Sequence, residues 1–166
     1  MIKKITIIIT TLTLLCACST TAKKISTTAK KISIPVGKMK QVELLDNFQS
    51  FSSGYKNYVL SAEQVNMVKS WPASINIDIY FGTWCPDSQR EVPHLLKALE
   101  FNANVSKTLI ALDGHKSDPL GLAKSAAVQY TPTFVVFVNN QEVGRVVERP
   151  KKDLISDINA MLAIIK

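Results

Sequence analysis

The sequence contains little cysteine and little histidine. Among its 166 residues there are three cysteines and two histidines, His94 and His115. Two of the cysteines, Cys16 and Cys18, lie close to the N-terminus, which leaves Cys85 as the only cysteine in the rest of the chain. One cysteine and two scattered histidines cannot supply the four ligands of a structural zinc site. We therefore predict no metal, no cofactor and no internal disulfide, and surface positions for both histidines.

A basic region of the kind that binds nucleic acid is also missing. The formal net charge is +7, but eight of the 20 basic residues are lysines within the first 40 residues. From Gln41 onward, 12 basic residues stand against 13 acidic ones. Without a basic patch interleaved with aromatic residues, we predict no nucleic-acid partner. The lysines near the N-terminus instead suit an anionic membrane surface.

The N-terminal segment has the features of a signal peptide. Two lysines are followed by an apolar run, Ile5 to Leu15, which is too short to span a bilayer stably. The run ends in Leu15-Cys16-Ala17-Cys18, which resembles the lipobox of bacterial lipoproteins. The resemblance implies that residues 1–17 are removed and that Cys18 is lipidated. The alternative is an ordinary cleaved signal peptide that happens to carry two cysteines.

Lipidation of Cys18 would also fix the location of the protein. It would be anchored to a bacterial membrane and would face the periplasm or the cell exterior. The next residue, Ser19, is not an aspartate, which favours the outer membrane if sorting follows the enteric pattern.

A tandem repeat follows the proposed lipidation site. Residues 20–26 and 27–33 are identical copies of Thr-Thr-Ala-Lys-Lys-Ile-Ser. Two copies are too few for a solenoid, and two heptads are too few to indicate a coiled coil. We interpret residues 18–36 as a flexible tether and residues 37–166 as the folded domain.

Cys85 lies where an apolar strand meets an amphipathic helix. Ile75 to Phe81 alternates apolar and mixed residues, and Val92 to Leu99 is apolar at helical spacing. At a helix start, four backbone N–H groups have no intrahelical partner and the helix dipole is positive. Both effects favour a thiolate over a thiol, so Cys85 is predicted to be a nucleophile at an exposed helix start. The alternative is a small buried cysteine without reactivity.

The residues around Cys85 resemble a known motif. Trp84-Cys85-Pro86-Asp87-Ser88 resembles the Trp-Cys-x-x-Cys motif of the thioredoxin superfamily, and Pro93 stands where thioredoxins carry a helix-kinking proline. Tyr130-Thr131-Pro132-Thr133-Phe134 resembles the family's cis-proline loop, which faces the cysteine. The resemblance covers roughly residues 58–166. It extends to bacterial thioredoxin-like proteins with a W-C-x-D-S variant, and these bring no settled activity.

This resemblance implies a fold and a binding groove. The fold would be α/β, with a central mixed β-sheet flanked by helices and a cis peptide bond before Pro132. Trp84, Pro86, Asp87, Thr131 and Pro132 would line the groove, where the backbone before the proline is offered to an extended substrate segment. The Thr131 hydroxyl could also reach the sulfur.

The sequence departs from the family at two positions. Ser88 replaces the second cysteine, and its hydroxyl is too weak an acid to resolve a mixed disulfide. It can donate a hydrogen bond to a Cys85 thiolate, whereas the charge of Asp87 would oppose that thiolate. Thioredoxins also carry a buried aspartate six residues before the cysteine, where this chain has Ile79. Asp78 points to the opposite face of the strand, so this proton acceptor is predicted to be missing.

Periodicity and turn residues also predict the elements before and after this strand and helix. From residue 58 onward, the complete order is β-α-β-α-β-α-β-β-α. The other elements are a helix over Val42 to Phe48 closed by Ser52-Ser53-Gly54, a first strand at Tyr58 to Leu60, a helix from the capping box Ser61-Ala-Glu-Gln64 to Trp71, strands at Thr108 to Leu112 and Thr133 to Val138, a helix from Asp118 to Val128, a turn at Asn139-Asn140, a strand at Glu142 to Val147, and a helix from Leu154 to Ile165.

We expect a membrane-tethered thioredoxin-like protein in which Cys85 alone exchanges disulfides, in an isomerase-like or thiol-transfer role, with Ser88 assisting. Its partners would be cysteine-containing proteins or small-thiol disulfides. One alternative is a binding module that grips an extended peptide, with Ser88 as the remnant of a lost motif. Two further alternatives are a peroxidase-like thiol and a metal cluster held between two monomers. Residues Gly82 to Cys85 do not reproduce the pattern of the peroxidase-like proteins. The oligomeric state stays open.

Overall fold

The computed structural model describes residues 34–164, so the proposed signal peptide, Cys18 and most of the tether lie outside the described residues. Ile165, which the predicted last helix included, also lies outside them. The elements are β1 (Gly37–Met39), α1 (Gln41–Asn47), α2 (Gln49–Asn57), α3 (Ala62–Lys69), β2 (Ile75–Phe81), α4 (Pro86–Ala98) with a 3-10 turn (Leu99–Phe101), β3 (Ser106–Ala111), α5 (Leu122–Ser125), β4 (Thr133–Val138), β5 (Gln141–Val147) and α6 (Leu154–Ala163).

Five strands form one mixed sheet in the order β1-β3-β2-β4-β5. Strands β2 and β3 are parallel, and the other three pairings are antiparallel. Helices pack against this sheet, so the expected α/β fold with a central mixed sheet is confirmed. Among residues 34–164, no helix combines the length and the apolar character needed to cross a membrane.

The two ends of the sheet differ in what they carry. Gly37 and Phe81 both pair with Ala111, so the start of β1 lies beside the ends of β2 and β3. We call this the cysteine end of the sheet, because β2 continues from Phe81 towards Cys85. The opposite end, where Ile75 pairs with Val138, is called the far end.

Strand β2 divides the core into two parts because its side chains alternate between the faces of the sheet. Its isoleucines, with Phe81, are fully buried in the larger part, against residues of α1 to α4 and α6. Tyr80 faces the smaller part, where it packs with Ile110, Val135 and Ala123 of α5. The apolar run predicted for β2 therefore supplies the centre of both layers.

The N-terminal part of the domain differs from the sequence-based expectation. The strand predicted at Tyr58 to Leu60 is wrong: these residues form no strand, and Val59 is 85% exposed. The first strand is instead β1, further upstream. The helix closure predicted at residues 52–54 is also wrong, because α2 continues to Asn57. Gly54 serves close packing there, since a Cβ on it would lie 3.2 Å from the Pro93 ring in α4.

The helix predicted from Asp118 is shorter than expected. Its carboxylate accepts hydrogen bonds from the N–H groups of Leu120 and Ala123, which closes a turn ahead of the helix. Gly121 then adopts a left-handed conformation with φ of 67°, and α5 begins only after it. The prediction that Asp118 caps the helix directly is therefore wrong, because its carboxylate spans the turn instead.

Other local signals are confirmed. The capping box forms, since the Ser61 and Gln64 side chains each accept a hydrogen bond from the other residue's backbone N–H. Asn139 and Asn140 both have positive φ, of 50° and 64°, and form the hairpin turn between β4 and β5. Gln64 also donates to Asp153 Oδ1 at 3.1 Å, which joins the start of α3 to the residue that caps α6.

Asn102 fixes the connection between α3 and β2 although it follows the 3-10 turn after α4. It is buried, and its Nδ2 donates to the carbonyl oxygens of Val68 at 2.8 Å and Trp71 at 2.9 Å. Its Oδ1 accepts from the Asn104 backbone N–H. A single side chain therefore satisfies three backbone groups, two of which end a helix.

Replacement of Asn102 by Ala should destabilise the domain. The Trp71 carbonyl would lose its Asn102 donor, and such a loss costs about 1–3 kcal/mol. The Val68 carbonyl would lose one hydrogen bond but would keep the one from the Trp71 N–H. We expect the free energy of unfolding, measured by urea denaturation, to fall by about 2–4 kcal/mol. Asn104→Ala is the matched control because it keeps the backbone N–H that makes the contact. A similar loss in both variants would contradict this role of Asn102.

Candidate functional site

Cys85 occupies the junction of β2 and α4, as the sequence predicts. Its N–H donates to the Gly82 carbonyl at 3.0 Å, and its own carbonyl accepts the first helical bond from Gln89 at 3.0 Å. Cys85 is the N-cap of α4 and Pro86 is the first helical residue. The expected exposure is wrong, because only 7% of Cys85 is accessible. A loop from elsewhere in the chain covers it.

That loop is the segment before β4. The Cys85 thiol donates to the Thr131 carbonyl oxygen at 3.1 Å, and the Thr131–Pro132 peptide bond is cis. Contact with the sulfur is thus made by the backbone of Thr131 rather than by its hydroxyl. Thr133 Oγ1 donates to the Tyr130 carbonyl at 2.8 Å, and Glu148 N–H donates to the Pro132 carbonyl at 2.7 Å. Bonds on both sides therefore hold the loop against the cysteine.

Ser88 lies beneath the cysteine and is fully buried. Its Oγ accepts a hydrogen bond from the Gly82 N–H at 3.2 Å. No hydrogen bond joins it to Cys85 among residues 34–164, so the expected bond from Ser88 to the sulfur is not found. The hydroxyl instead fixes the turn through which β2 enters the helix.

Trp84 forms one wall beside the cysteine. Its Nε1 donates to the Leu112 carbonyl at 3.2 Å, and 38% of the residue is exposed. The indole packs on Gly82, where a Cβ would lie only 2.7 Å from Cε2 of the ring. Lys116 places its ammonium group 5.7 Å from the ring centroid. Glycine is therefore required before the motif because the indole covers its Cα.

Asp87 is held by two arginines. Its carboxylate lies 2.8 Å from Arg90 Nη1 and 3.2 Å from Arg149 Nε. Partial burial by itself would raise the pKa of Asp87, but hydrogen bonds and charges from the two arginines lower it overall. The carboxylate thus stays charged, and the expected repulsion of a thiolate by Asp87 is offset by neighbouring positive charge. Arg90 follows from the i,i+3 spacing, whereas Arg149 is 62 residues away and carries no sequence signal.

Neither histidine contributes a base to the site. His115 is exposed, as predicted, whereas His94 is only partly exposed. The His94 ring stacks on Tyr58, with centroids 3.9 Å apart, and its burial lowers the pKa of its imidazole. Ile79 is fully buried, and Asp78 lies on the opposite face of β2 and accepts a hydrogen bond from Asn76. Position 79 is therefore apolar and buried, and the nearest carboxylate in β2 faces the other side of the sheet.

The site as a whole presents one thiol beside one carbonyl. Trp84, Pro86, Asp87, Thr131 and Pro132, predicted to form the groove, all belong to the two segments that meet at Cys85. A depression of about 340 Å³ adjoins the loop before β4 and is lined partly by Tyr130 and Val147. Within residues 34–164 there is no group of three or more side chains suited to hold a metal ion. The arrangement places one thiol, largely covered, between the start of α4 and the loop before β4.

Solved structures share this fold. A protein of unknown function from Pseudomonas aeruginosa is 18% identical, with a TM-score of 0.59 over 77% of this chain and 99% of that one. An HIV epitope-scaffold is 16% identical, with a TM-score of 0.57 over 75% of this chain and 98% of that one. At these identities the likeness concerns the fold alone. No match to this chain is found among curated protein sequences.

A family model gives the closer assignment. The model described as thioredoxin matches residues 38–156, which is more than two thirds of the chain. The matched range includes both segments that meet at Cys85. A match of this extent assigns the chain, and we conclude that this protein belongs to the thioredoxin family.

Proposed function

We propose that this protein is a membrane-tethered thiol–disulfide exchange protein that uses Cys85 as its single nucleophile. The observation that carries the proposal is the position of the Cys85 sulfur, which lies at the N-cap of α4 and 3.1 Å from the Thr131 carbonyl. With Cys16 removed and Cys18 lipidated as proposed, Cys85 is the only free thiol of the sequence and no internal dithiol can form. Its partners are cysteine-containing proteins or small-thiol disulfides.

The proposed reaction begins with loss of the proton that the thiol donates to Thr131. The Cys85 thiolate attacks one sulfur of a substrate disulfide, a new S–S bond forms to Cys85, and the second substrate sulfur leaves as a thiolate that takes up a proton. One disulfide is consumed and one is formed, so no external oxidant or reductant is needed. The Thr131 backbone and the exposed face of Trp84 border the position of the incoming disulfide.

Resolution of the mixed disulfide requires a second thiol from outside the chain. A partner protein, glutathione or another cysteine of the substrate attacks the mixed disulfide and releases the Cys85 thiolate. Attack by the substrate's own cysteine rearranges the substrate's disulfides, which is isomerase-like chemistry. Attack by another thiol transfers the substrate sulfur from Cys85 to that thiol. Ser88 has no part in this step, and its proposed contribution is to hold the turn at Gly82.

The tethering part of the proposal rests on the sequence before residue 34. The lipobox-like segment that ends in Cys18 and the lysine-rich repeat after it suit a lipid anchor in a bacterial membrane. The domain would then face the periplasm or the cell exterior, and Ser19 favours the outer membrane. These compartments permit disulfides, which exchange chemistry requires.

A second candidate function is a binding module without exchange chemistry. It is favoured by the low exposure of Cys85, 7%, together with the exposed aromatic residues Trp84 and Tyr130 on either side. In this case the groove grips an extended segment and the sulfur is only part of its floor. The two candidates differ in what happens when the thiol is removed.

Cys85 should capture a disulfide without denaturant. Incubation of the folded protein with glutathione disulfide should add one glutathionyl group per chain, observed by intact-mass spectrometry and removed by dithiothreitol. Cys85→Ala, in a background where Cys16 and Cys18 are absent or lipidated, should show no addition. Addition that occurs only after unfolding would contradict exchange chemistry and favour the binding module.

Ser88→Cys should convert the single-thiol site into a dithiol site. A thiol three residues after Cys85 would attack the mixed disulfide within the chain, which is favoured over attack by a dilute external thiol. We expect the lifetime of the Cys85–glutathione adduct to fall by at least about tenfold, with an internal disulfide as the product. Ser88→Ala, the matched control, should leave that lifetime unchanged. If the control shortens it equally, the effect comes from loosening of the turn at Gly82.

Cys18→Ser should release the protein from the membrane fraction. Without a thiol at this position no lipid can be attached, so the protein should lose its partition into the detergent phase of a Triton X-114 extraction. Cys16→Ser is the matched control and should remain in the detergent phase. The same behaviour in both variants would show that Cys18 is not the lipidation site.

A further inference from the structure

The chain enters the domain at the cysteine end of the sheet. Strand β1 begins at Gly37, which pairs with Ala111 beside Phe81, and it runs away from Cys85. Ile34 is the first described residue and lies only three positions before Gly37. Everything upstream is therefore attached to the domain at the end that carries the thiol.

The same end exposes apolar side chains. Leu120 is 68% exposed, Tyr130 is 52% exposed and Trp84 is 38% exposed. The loop with Leu120 lies beside the start of β1, since a Cβ on Gly37 would be 3.6 Å from the ring of Pro119. Aromatic and aliphatic side chains of this kind suit the interface between water and a lipid bilayer.

Cations accompany these apolar side chains on the β3–α5 side of the site. Lys116 and Lys124 line one depression of about 380 Å³, and neither forms an ion pair within residues 34–164. The nearby carboxylates of Asp113 and Asp118 accept backbone N–H groups of their own loops. A carboxylate that accepts N–H groups keeps its negative charge, so the two lysines and the two aspartates balance on this side of the site.

On the other side of Cys85 the charges largely balance. Arg149 is exposed and shares the carboxylate of Asp87 with Arg90, and the neighbouring Glu148 is exposed as well. Attraction to an anionic surface would therefore come from the lysines of residues 23–40, which precede the domain or lie in or directly after its first strand.

We propose that the cysteine end of the domain faces the anionic bilayer to which the chain is anchored, and that the substrates are disulfides presented at that same membrane surface. This inference rests on the proposed exchange function and on N-terminal anchoring. It adds an orientation and a class of substrate, namely disulfides of membrane-bound partners.

The tether length is compatible with this orientation. Fifteen residues lie between Cys18 and Ile34. A flexible segment of this length has a typical end-to-end distance of about 20–25 Å, and full extension reaches about 55 Å. The thiol would therefore sample a thin layer next to the bilayer, which raises its effective concentration towards surface-bound disulfides.

The opposite end of the domain provides the matched control. Leu162 and Ala163 line a depression together with Val138 and Asn139, so the end of α6 lies at the far end of the sheet. A chain anchored through an added C-terminal copy of residues 19–33 would hold the same domain at the same distance, with the thiol directed away from the bilayer. An N-anchored and a C-anchored chain thus differ only in orientation.

The test compares these two chains on vesicles of phosphatidylcholine and phosphatidylglycerol, both bound through a hexahistidine tag to a nickel-chelating lipid. The probe is one disulfide-containing peptide, either linked to a lipid in the same vesicle or free in solution. We expect the N-anchored chain to form a mixed disulfide with the lipid-linked probe at least about tenfold faster than the C-anchored chain, and both to react equally with the free probe. Equal rates with the lipid-linked probe would overturn the inference.

A second readout separates this inference from the exchange function. If neither chain reacts with the free probe, the exchange function fails, and orientation is then judged by Trp84 fluorescence in a Trp71→Phe background. Lipids with a quencher near the headgroup should quench Trp84 more strongly in the N-anchored chain than in the C-anchored one. Equal quenching would overturn the orientation whatever the thiol does.

Discussion

The contact between the Cys85 sulfur and the Thr131 carbonyl is the constraint on which the site depends. It joins two loops whose residues are 46 positions apart, one after β2 and one before β4. Each loop is fixed separately, the first by the Gly82–Ser88 bond and the second by the bond from Glu148 to Pro132. Because each loop is held by its own bond, the sulfur is kept next to the Thr131 carbonyl.

The charged side chains around this contact extend its rigidity to the rest of the fold. Asp87 lies in the first turn of α4, and its bond to Arg149 connects that turn to the segment between β5 and α6. The same segment contributes the N–H that holds Pro132. The neighbouring residues Glu148 and Arg149 therefore contact both loops of the site, one through a backbone N–H and the other through its guanidinium. Exposure of Arg149, at 72% of its side chain, limits the energy of the ion pair itself.

Local signals in the sequence were sufficient for much of the fold but not for contacts between distant segments. The alternation in Ile75–Phe81 and the Asn139-Asn140 turn were predicted because each depends on neighbouring residues alone. The sequence predicts a helix end at Gly54, whereas the structure shows that Gly54 lets α2 approach Pro93. The burial of Cys85 was missed for the same reason, since a loop 46 residues away covers it.

Ser88 makes a contact that its place in the motif does not predict. The motif predicts a contact between the Ser88 hydroxyl and the sulfur of Cys85. In the structure, the hydroxyl oxygen accepts a hydrogen bond from the Gly82 N–H. A hydroxyl oxygen is a stronger acceptor than a thiol sulfur, so serine satisfies this buried N–H better than cysteine would. Serine at this position thus removes the internal route for resolving a mixed disulfide while it strengthens the turn that positions the remaining sulfur. In the proposed exchange reaction, this combination favours a long-lived mixed disulfide.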